Sequence, residues 1–328
     1  MKKLLGIFCL LLVVCVATAL MSDQFATKYN VENLLRRTGL FGILSVGVAF
    51  VIITSGIDLS IGSVVCMIGV GLPWLLTVAK LPMALSLGIV ALISMGVGCA
   101  HGLLITRLRI QPFVVTLCGL LIYRGLARGF TRDQTMGFGN DFKELRWLAT
   151  SKVSVPFVEG FGIPVPFLLM LGVAALASIL LNQTIYGRYL LALGRNEDAA
   201  RYSGIRTRGM IVMAYVICSA MAGFGGMLFV LDVNSAQPAD FGNFYELYAI
   251  AAAVLGGCSL RGGQGTIIGV ILGTALMQVL RTMITLVDAM PKTIEYAIIG
   301  AVILGGVVTD ELVKRYVAQR KAARQLQG

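Results

Sequence analysis

Asp58 stands where a carboxylate is least expected. The run Gly56-Ile57-Asp58-Leu59-Ser60-Ile61-Gly62-Ser63 separates two hydrophobic stretches that would otherwise merge. An acid near the middle of a bilayer costs about 2.5–3.5 kcal/mol on insertion scales, so this one belongs at an interface, in a pair, or beside water. Two compatible readings follow. Asp58 caps the next helix by accepting from the free amides at its start, or the broken turn lines or gates a path through the membrane. A second interruption, Gly256-Gly257-Cys258-Ser259-Leu260-Arg261-Gly262-Gly263-Gln264-Gly265-Thr266, overlays the first, with Arg261 opposite Asp58 and Gly265-Thr266 opposite Gly62-Ser63. The overlay hints at an internal duplication and raises an Asp58–Arg261 contact as a question for the structure.

A third run, Gly194-Arg195-Asn196-Glu197-Asp198-Ala199-Ala200-Arg201-Tyr202-Ser203-Gly204-Ile205, encodes a short capped helix. Asn196 suits the N-cap, Glu197 and Asp198 suit the positive end of the helix dipole, and Gly204 suits the left-handed residue past the C-terminus. Helices under about 12 residues are marginal in water, so this one docks on something. Its own membrane domain is one candidate; a partner is favoured, because the segment offers charges of both signs.

The usual catalytic sets are missing. No carboxylate pair, His cluster or Ser/His/Asp set lies within the apolar runs. The single histidine, His101, reads as a hydrogen-bonded interior residue. Seven cysteines with no CxxC pair exclude the common zinc spacings and a disulfide frame. No Gly-Lys dipeptide occurs, so there is no Walker A loop to cradle ATP phosphates.

The elements that must position these residues are membrane helices. Of 328 residues 57% are hydrophobic and only 13% charged, against roughly 25% charged in soluble domains. Apolar runs lie at about 4–21, 39–56, 60–79, 83–105, 111–130, 165–181, 209–231, 247–257, 265–287 and 293–309. Ten spans are therefore predicted, in an all-α integral membrane protein with some helices short or broken. The eighth, about 11 residues long, needs a broken, protein-enclosed geometry to cross. Residues 22–38 are read as an interfacial amphipathic helix, with Val31, Leu34, Leu35 and Leu40 on one face.

The N-terminal run from Leu4 to Met21 imitates a signal peptide but is long for one, and is read as a retained first helix. With that end inside, fifteen Lys and Arg fall in the inner segments and nine in the outer ones, which puts both termini in the cytoplasm. The net charge of +11 is thus assigned to membrane orientation and not to nucleic acid. A single domain spanning 1–328 results, with an external loop at 131–164, a cytoplasmic loop at 182–208 and a basic cytoplasmic tail at 310–328.

The run from Gly42 to Val65 closely resembles the signature of permease subunits in ribose-type ABC importers. So do Arg109-Ile110-Gln111-Pro112-Phe113-Val114-Val115-Thr116-Leu117 with Tyr123-Arg124-Gly125, the stretch from Gly194 to Ile205, and the turn around Arg261, all in the expected order. The resemblance implies a multi-pass permease of the bacterial inner membrane, working by alternating access. It pairs with a second permease, as a homodimer; a periplasmic sugar-binding protein docks outside and a cytosolic ATPase inside. ATP and magnesium belong to that ATPase, and the chain itself binds no cofactor. Gly194, Arg195, Asn196, Glu197, Asp198, Ala199, Ala200, Arg201 and Gly204 then form the coupling helix. Asp58, Gly62, Ser63, Arg261, Gly262, Gly263 and Gly265 shape or hinge the path. The implied cargo is a monosaccharide, first a pentose such as ribose or xylose, with hexoses, furanoses and a sugar-like signalling molecule open.

The chain departs from the family pattern at Arg195, where a second Gly is commoner, at His101, where Asn is, and at Thr131-Arg132-Asp133-Gln134-Thr135, commonly glycine-rich. The competing class is an ion-gradient-driven transporter or channel. It needs buried ionisable groups along its path, for which only Asp58, His101, Glu246, Arg281 and Glu295 are candidates.

Overall fold

The computed structural model of the chain describes residues 2–156 and 160–287, together with positions 296–298, 300–301, 304–305 and 308. The expected tail at 310–328, the expected sidedness of the C-terminus and most of the tenth apolar run lie outside the described residues.

Twelve helices carry the described fold: α1 (Lys2–Met21), α2 (Lys28–Ile53), α3 (Ile61–Pro73), α4 (Met83–Arg107), α5 (Pro112–Thr131), α6 (Lys143–Thr150), α7 (Val165–Gln183), α8 (Ile185–Arg195), α9 (Glu197–Tyr202), α10 (Thr207–Val233), α11 (Tyr245–Leu255) and α12 (Ile267–Leu286). A π-helical turn, Trp74–Val78, extends α3 beyond Pro73, whose ring denies the backbone its regular ladder. Among the described residues eight helices are long and apolar enough to cross a membrane: α1, α2, α3 with its extension, α4, α5, α7, α10 and α12. The eleven-residue α11 is too short to cross alone, as its sequence requires.

No separate interfacial helix occupies 28–38. That stretch is the first part of α2, which runs unbroken for 26 residues. Its apolar second half, Thr38 to Ile53, is buried throughout and forms the central post of the molecule. Around it α10 packs closely on three helices through glycines. A Cβ on Gly102 of α4 would come within 2.6 Å of the Val212 Cα, one on Gly47 of α2 within 2.7 Å of the Met221 Cβ, and one on Gly226 of α10 within 2.8 Å of the Val65 carbonyl of α3. Small residues at crossings are how membrane helices gain contact where lipid competes for apolar surface. α1 lies outermost, packed along α12.

One end of the bundle is tied by short strands, which the sequence reading did not anticipate. β1 (Met136–Gly137) pairs antiparallel with β4 (Ser235–Ala236), and β2 (Lys152–Ser154) with β3 (Gly162–Pro164). Ion pairs lock this strand end: Lys152 Nζ lies 2.9 Å from Glu32 Oε1, and Arg36 Nη1 lies 3.3 Å from Asp232 Oδ1. The opposite end carries α8 and α9.

Candidate functional site

At the α9 end the sequence-predicted helix forms with the expected caps. Asn196 Oδ1 accepts from the Ala199 amide at 2.9 Å, and Gly204 adopts φ +85° just beyond the helix. Ala200 is buried against the bundle, while Glu197, Asp198, Ala199, Arg201 and Tyr202 face outward. Arg201 Nη2 donates to Asp198 Oδ1 at 2.8 Å along the exposed face. α9 is therefore a knob, seated on its own domain by one small side chain and presenting charges of both signs.

What the knob is attached to follows from Gly194. A side chain there would strike the Ile53 carbonyl at the end of α2 and the Gly263 amide, so only glycine lets three segments converge. The Gly263 amide donates to the Ile53 carbonyl at 2.8 Å. Ser55 Oγ sits 3.0 Å from both the Gly194 and the Arg261 carbonyl oxygens, and its single proton serves one at a time. Arg195 packs on Gly263, and Gly265 packs on Cys258 and Ile53. The end of α2, just before the first interruption, thus meets the second interruption and the knob at one joint. Beside that joint opens a cavity of about 450 Å³, lined among others by Thr54, Ser55, Arg109, Gln111, Glu197 and Arg201.

Above the joint the chain is broken at membrane depth. Ile57 lies inward of it, its carbonyl accepting at 3.0 Å from the hydroxyl of Tyr215, eight residues into α10. Asp58 is buried; its Oδ1 accepts from the Ser60 amide at 2.9 Å and the Ser60 hydroxyl at 2.7 Å. Ser60 precedes the helix, so Asp58 closes the turn and does not cap α3. The Gly62 amide, inside α3, donates instead to Glu246 of α11. The Arg261 side chain is exposed, and the Asp58 carboxylate is bonded to Ser60, so the overlay of the two turns does not become an ion pair. Asp58 Oδ2, Ser63 Oγ and His101 Nδ1 are buried with no hydrogen-bond partner among the described residues. His101 Nε2 lies 2.8 Å from the Tyr123 hydroxyl, the interior role expected of it.

The second break lies between the apolar runs 209–231 and 247–257, where hydropathy alone predicts only a connection. From β4 the chain re-enters the bundle as Gln237–Phe244 before α11 begins. Gln237 is still level with the strand end, where its side-chain oxygen accepts from Thr135 Oγ1 at 2.7 Å. Phe241 and Gly242 then lie against Gly69 and Gly62 of α3. Non-helical backbone at such depth must find hydrogen bonds within the protein, and Arg124 of α5 supplies them. Its Nη1 donates to the Phe241 carbonyl at 2.6 Å and the Pro238 carbonyl at 3.0 Å, while Cys66 Sγ adds a weak bond to the latter. Arg124 and Glu246 are the residues whose work the sequence reading did not assign. The signals were present: a guanidinium inside the apolar run 111–130, one turn before the Arg128 near its end, and an acid opening a run too short to cross.

A protein family described as "branched-chain amino acid transport system / permease component" matches residues 30–307. The ribose import permease of Haemophilus influenzae is 33% identical over 283 residues, 86% of this chain and 85% of its own. That of Bacillus subtilis is 33% identical over 316 residues, covering 94% and 93%. An autoinducer 2 import system permease of Yersinia enterocolitica is 36% identical over 289 residues, covering 86% and 76%. No solved structure matches the chain.

Proposed function

The chain belongs to this family of multi-pass inner-membrane transport permeases, and from that membership we propose that it is the membrane-spanning subunit of an ATP-driven importer for a monosaccharide. The family's printed description is broader than sugars, but the similar permeases named above handle ribose or autoinducer 2. A pentose such as ribose or xylose is the leading cargo. In this reading α9 faces the cytoplasm, a second copy of the chain completes the path, a periplasmic binding protein delivers the sugar, and a cytosolic ATPase holds ATP and magnesium.

The observation that carries the reading is the joint. A subunit without a nucleotide site must receive force from outside, and a ligand shifts an equilibrium only through its differential affinity for the two states. ATP binding closes the partner ATPase against the exposed face of α9. Gly194, Ser55 and Gly263 pass that displacement to the ends of both broken segments with no long side chain between to absorb it. The helices then rock as rigid bodies about the breaks, exchanging outward for inward access.

The test is reconstitution of the chain with its ATPase and binding protein in proteoliposomes. Uptake of radiolabelled D-ribose or D-xylose should require all three proteins and ATP on the α9 side. Accumulation by the lone chain under a proton gradient would overturn the reading.

A further inference from the structure

The re-entrant segment has an outer face that the fold leaves polar. Asp240 and Asn243 are exposed, although the residues between them, Phe241 and Gly242, are pressed onto α3 inside its membrane span. The Asp240 carboxylate takes no hydrogen bond or ion pair among the described residues, and Asn243 uses its amide nitrogen on the Ala239 carbonyl at 3.1 Å, which leaves its oxygen open. Phe244 follows, exposed, in a left-handed conformation at φ +64° that L side chains seldom adopt, with its ring centroid 5.2 Å from that of Tyr296. Strain of this kind persists where the surroundings over-determine it. Here Arg124 grips the segment from one side, and Gly242, at φ +77°, meets Gly62 too closely for any side chain on either.

A carboxylate and a carboxamide at that depth cannot face lipid without a large cost, and their backbone is held too firmly for them to swing to the surface. They must face water or a polar ligand. We propose that the exposed face of the re-entrant segment, Asp240, Asn243 and Phe244, is the part of the path wall that touches the sugar. The chemistry fits a polyol: planar acid and amide groups accept from and donate to adjacent hydroxyls, and an aromatic ring packs on the C–H face of the sugar ring. This rests on the importer reading and deepens it by naming contact residues outside both glycine-rich turns.

Two measurements test it in the reconstituted complex. Asp240→Cys and Asn243→Cys should react with a membrane-impermeant methanethiosulfonate applied from the strand end about tenfold faster than wild type, whose exposed Cys9 and Cys118 lie on apolar helices. At saturating sugar-loaded binding protein, Asp240→Asn and Asn243→Ala should cut the D-ribose moved per ATP hydrolysed about tenfold, the size of one lost charged hydrogen bond. A purely structural role would lower uptake and hydrolysis together. The proposal fails if labelling stays at the wild-type rate, if the cysteines instead cross-link two copies of the chain, or if sugar per ATP is unchanged. Should wild type take up no D-ribose, the substrate assignment falls while the labelling still decides whether this face lines the path.

Discussion

Arg124 leaves α5 between Leu121 and Ile122 on one side and Leu126 on the other, all exposed apolar residues, yet its guanidinium turns inward onto two carbonyls. A forked, permanently charged donor is suited to hold two acceptors at once; an ammonium is a point charge. Arg124→Gln should cost about 1–3 kcal/mol by leaving the Phe241 carbonyl unpaired at membrane depth, and Arg124→Lys should cost less. Melting temperatures in detergent should therefore fall in the order wild type, Lys, Gln; equal values for all three would show that Arg124 does not hold the segment. Cys258 offers a second residue-level reading. Burial pushes its thiol up to about 12, so at pH 7–8 it stays a thiol and not the reactive thiolate. Maleimide should spare it while the joint under Gly265 is closed and modify it on unfolding, as peptide mapping would show. Arg124 and Cys258 both lie in runs that the sequence marks out, but what each touches is set by the fold. Asp58 drew attention because its charge interrupts an apolar run, and it does close a turn; that Glu246 and not Asp58 takes the α3 amide depends on a contact 184 positions away, which spacing alone does not reveal.

Among the elements, those governed by local rules were legible in the sequence. α9 has its cap, its acidic first turn and its left-handed terminator within nine residues, so the chain specifies it without reference to the rest of the fold. The long helices declared themselves by hydropathy. What hydropathy could not show was that 28–38 continues α2, because a protruding helical turn and an interfacial helix have the same composition, or that 237–244 re-enters the bundle, because a polar re-entrant segment reads as a loop. Two predictions belong here. Reversing both charges, Glu197→Lys with Asp198→Lys, should weaken copurification of the ATPase about tenfold or more, as like charges meet at a docking surface; intact assembly would remove α9 from the interface. Asn196→Ala, which deletes only the bond to the Ala199 amide, should loosen the knob by about 1 kcal/mol. Assembly should then survive while sugar moved per ATP declines, and an unchanged ratio would mean that stiffness of α9 is unimportant for coupling.

On the scale of the whole molecule, the surface states where the chain lives and what it lacks. Leu5, Val13 and Leu20 on α1, Leu92 on α4, Leu121 on α5 and Leu176 on α7 are all more than 60% exposed, so the sides of the bundle offer hydrocarbon where a soluble protein would offer charge. Ion pairs and charged loops gather at the two ends instead. Such a body is stable only with an apolar solvent around its waist, and purified protein should be monodisperse in detergent and aggregate when detergent is removed, by size-exclusion chromatography. The same chain has no Gly-Lys dipeptide and so no Walker A loop. Nucleotide hydrolysis by the purified chain should stay at the buffer background at any ATP concentration. Once the partner ATPase is bound, adding sugar-loaded binding protein at the strand end should raise hydrolysis several-fold, because occupancy there can reach the motor only through the breaks and the joint beneath them. The Gly62→Ala variant separates this route from direct contact between partners. A methyl group at Gly62 forces the re-entrant segment away from α3, a misfit that costs about 1–3 kcal/mol. Stimulation should then be lost while both partners still bind, and stimulation that persisted in Gly62→Ala would mean that the signal bypasses the broken centre.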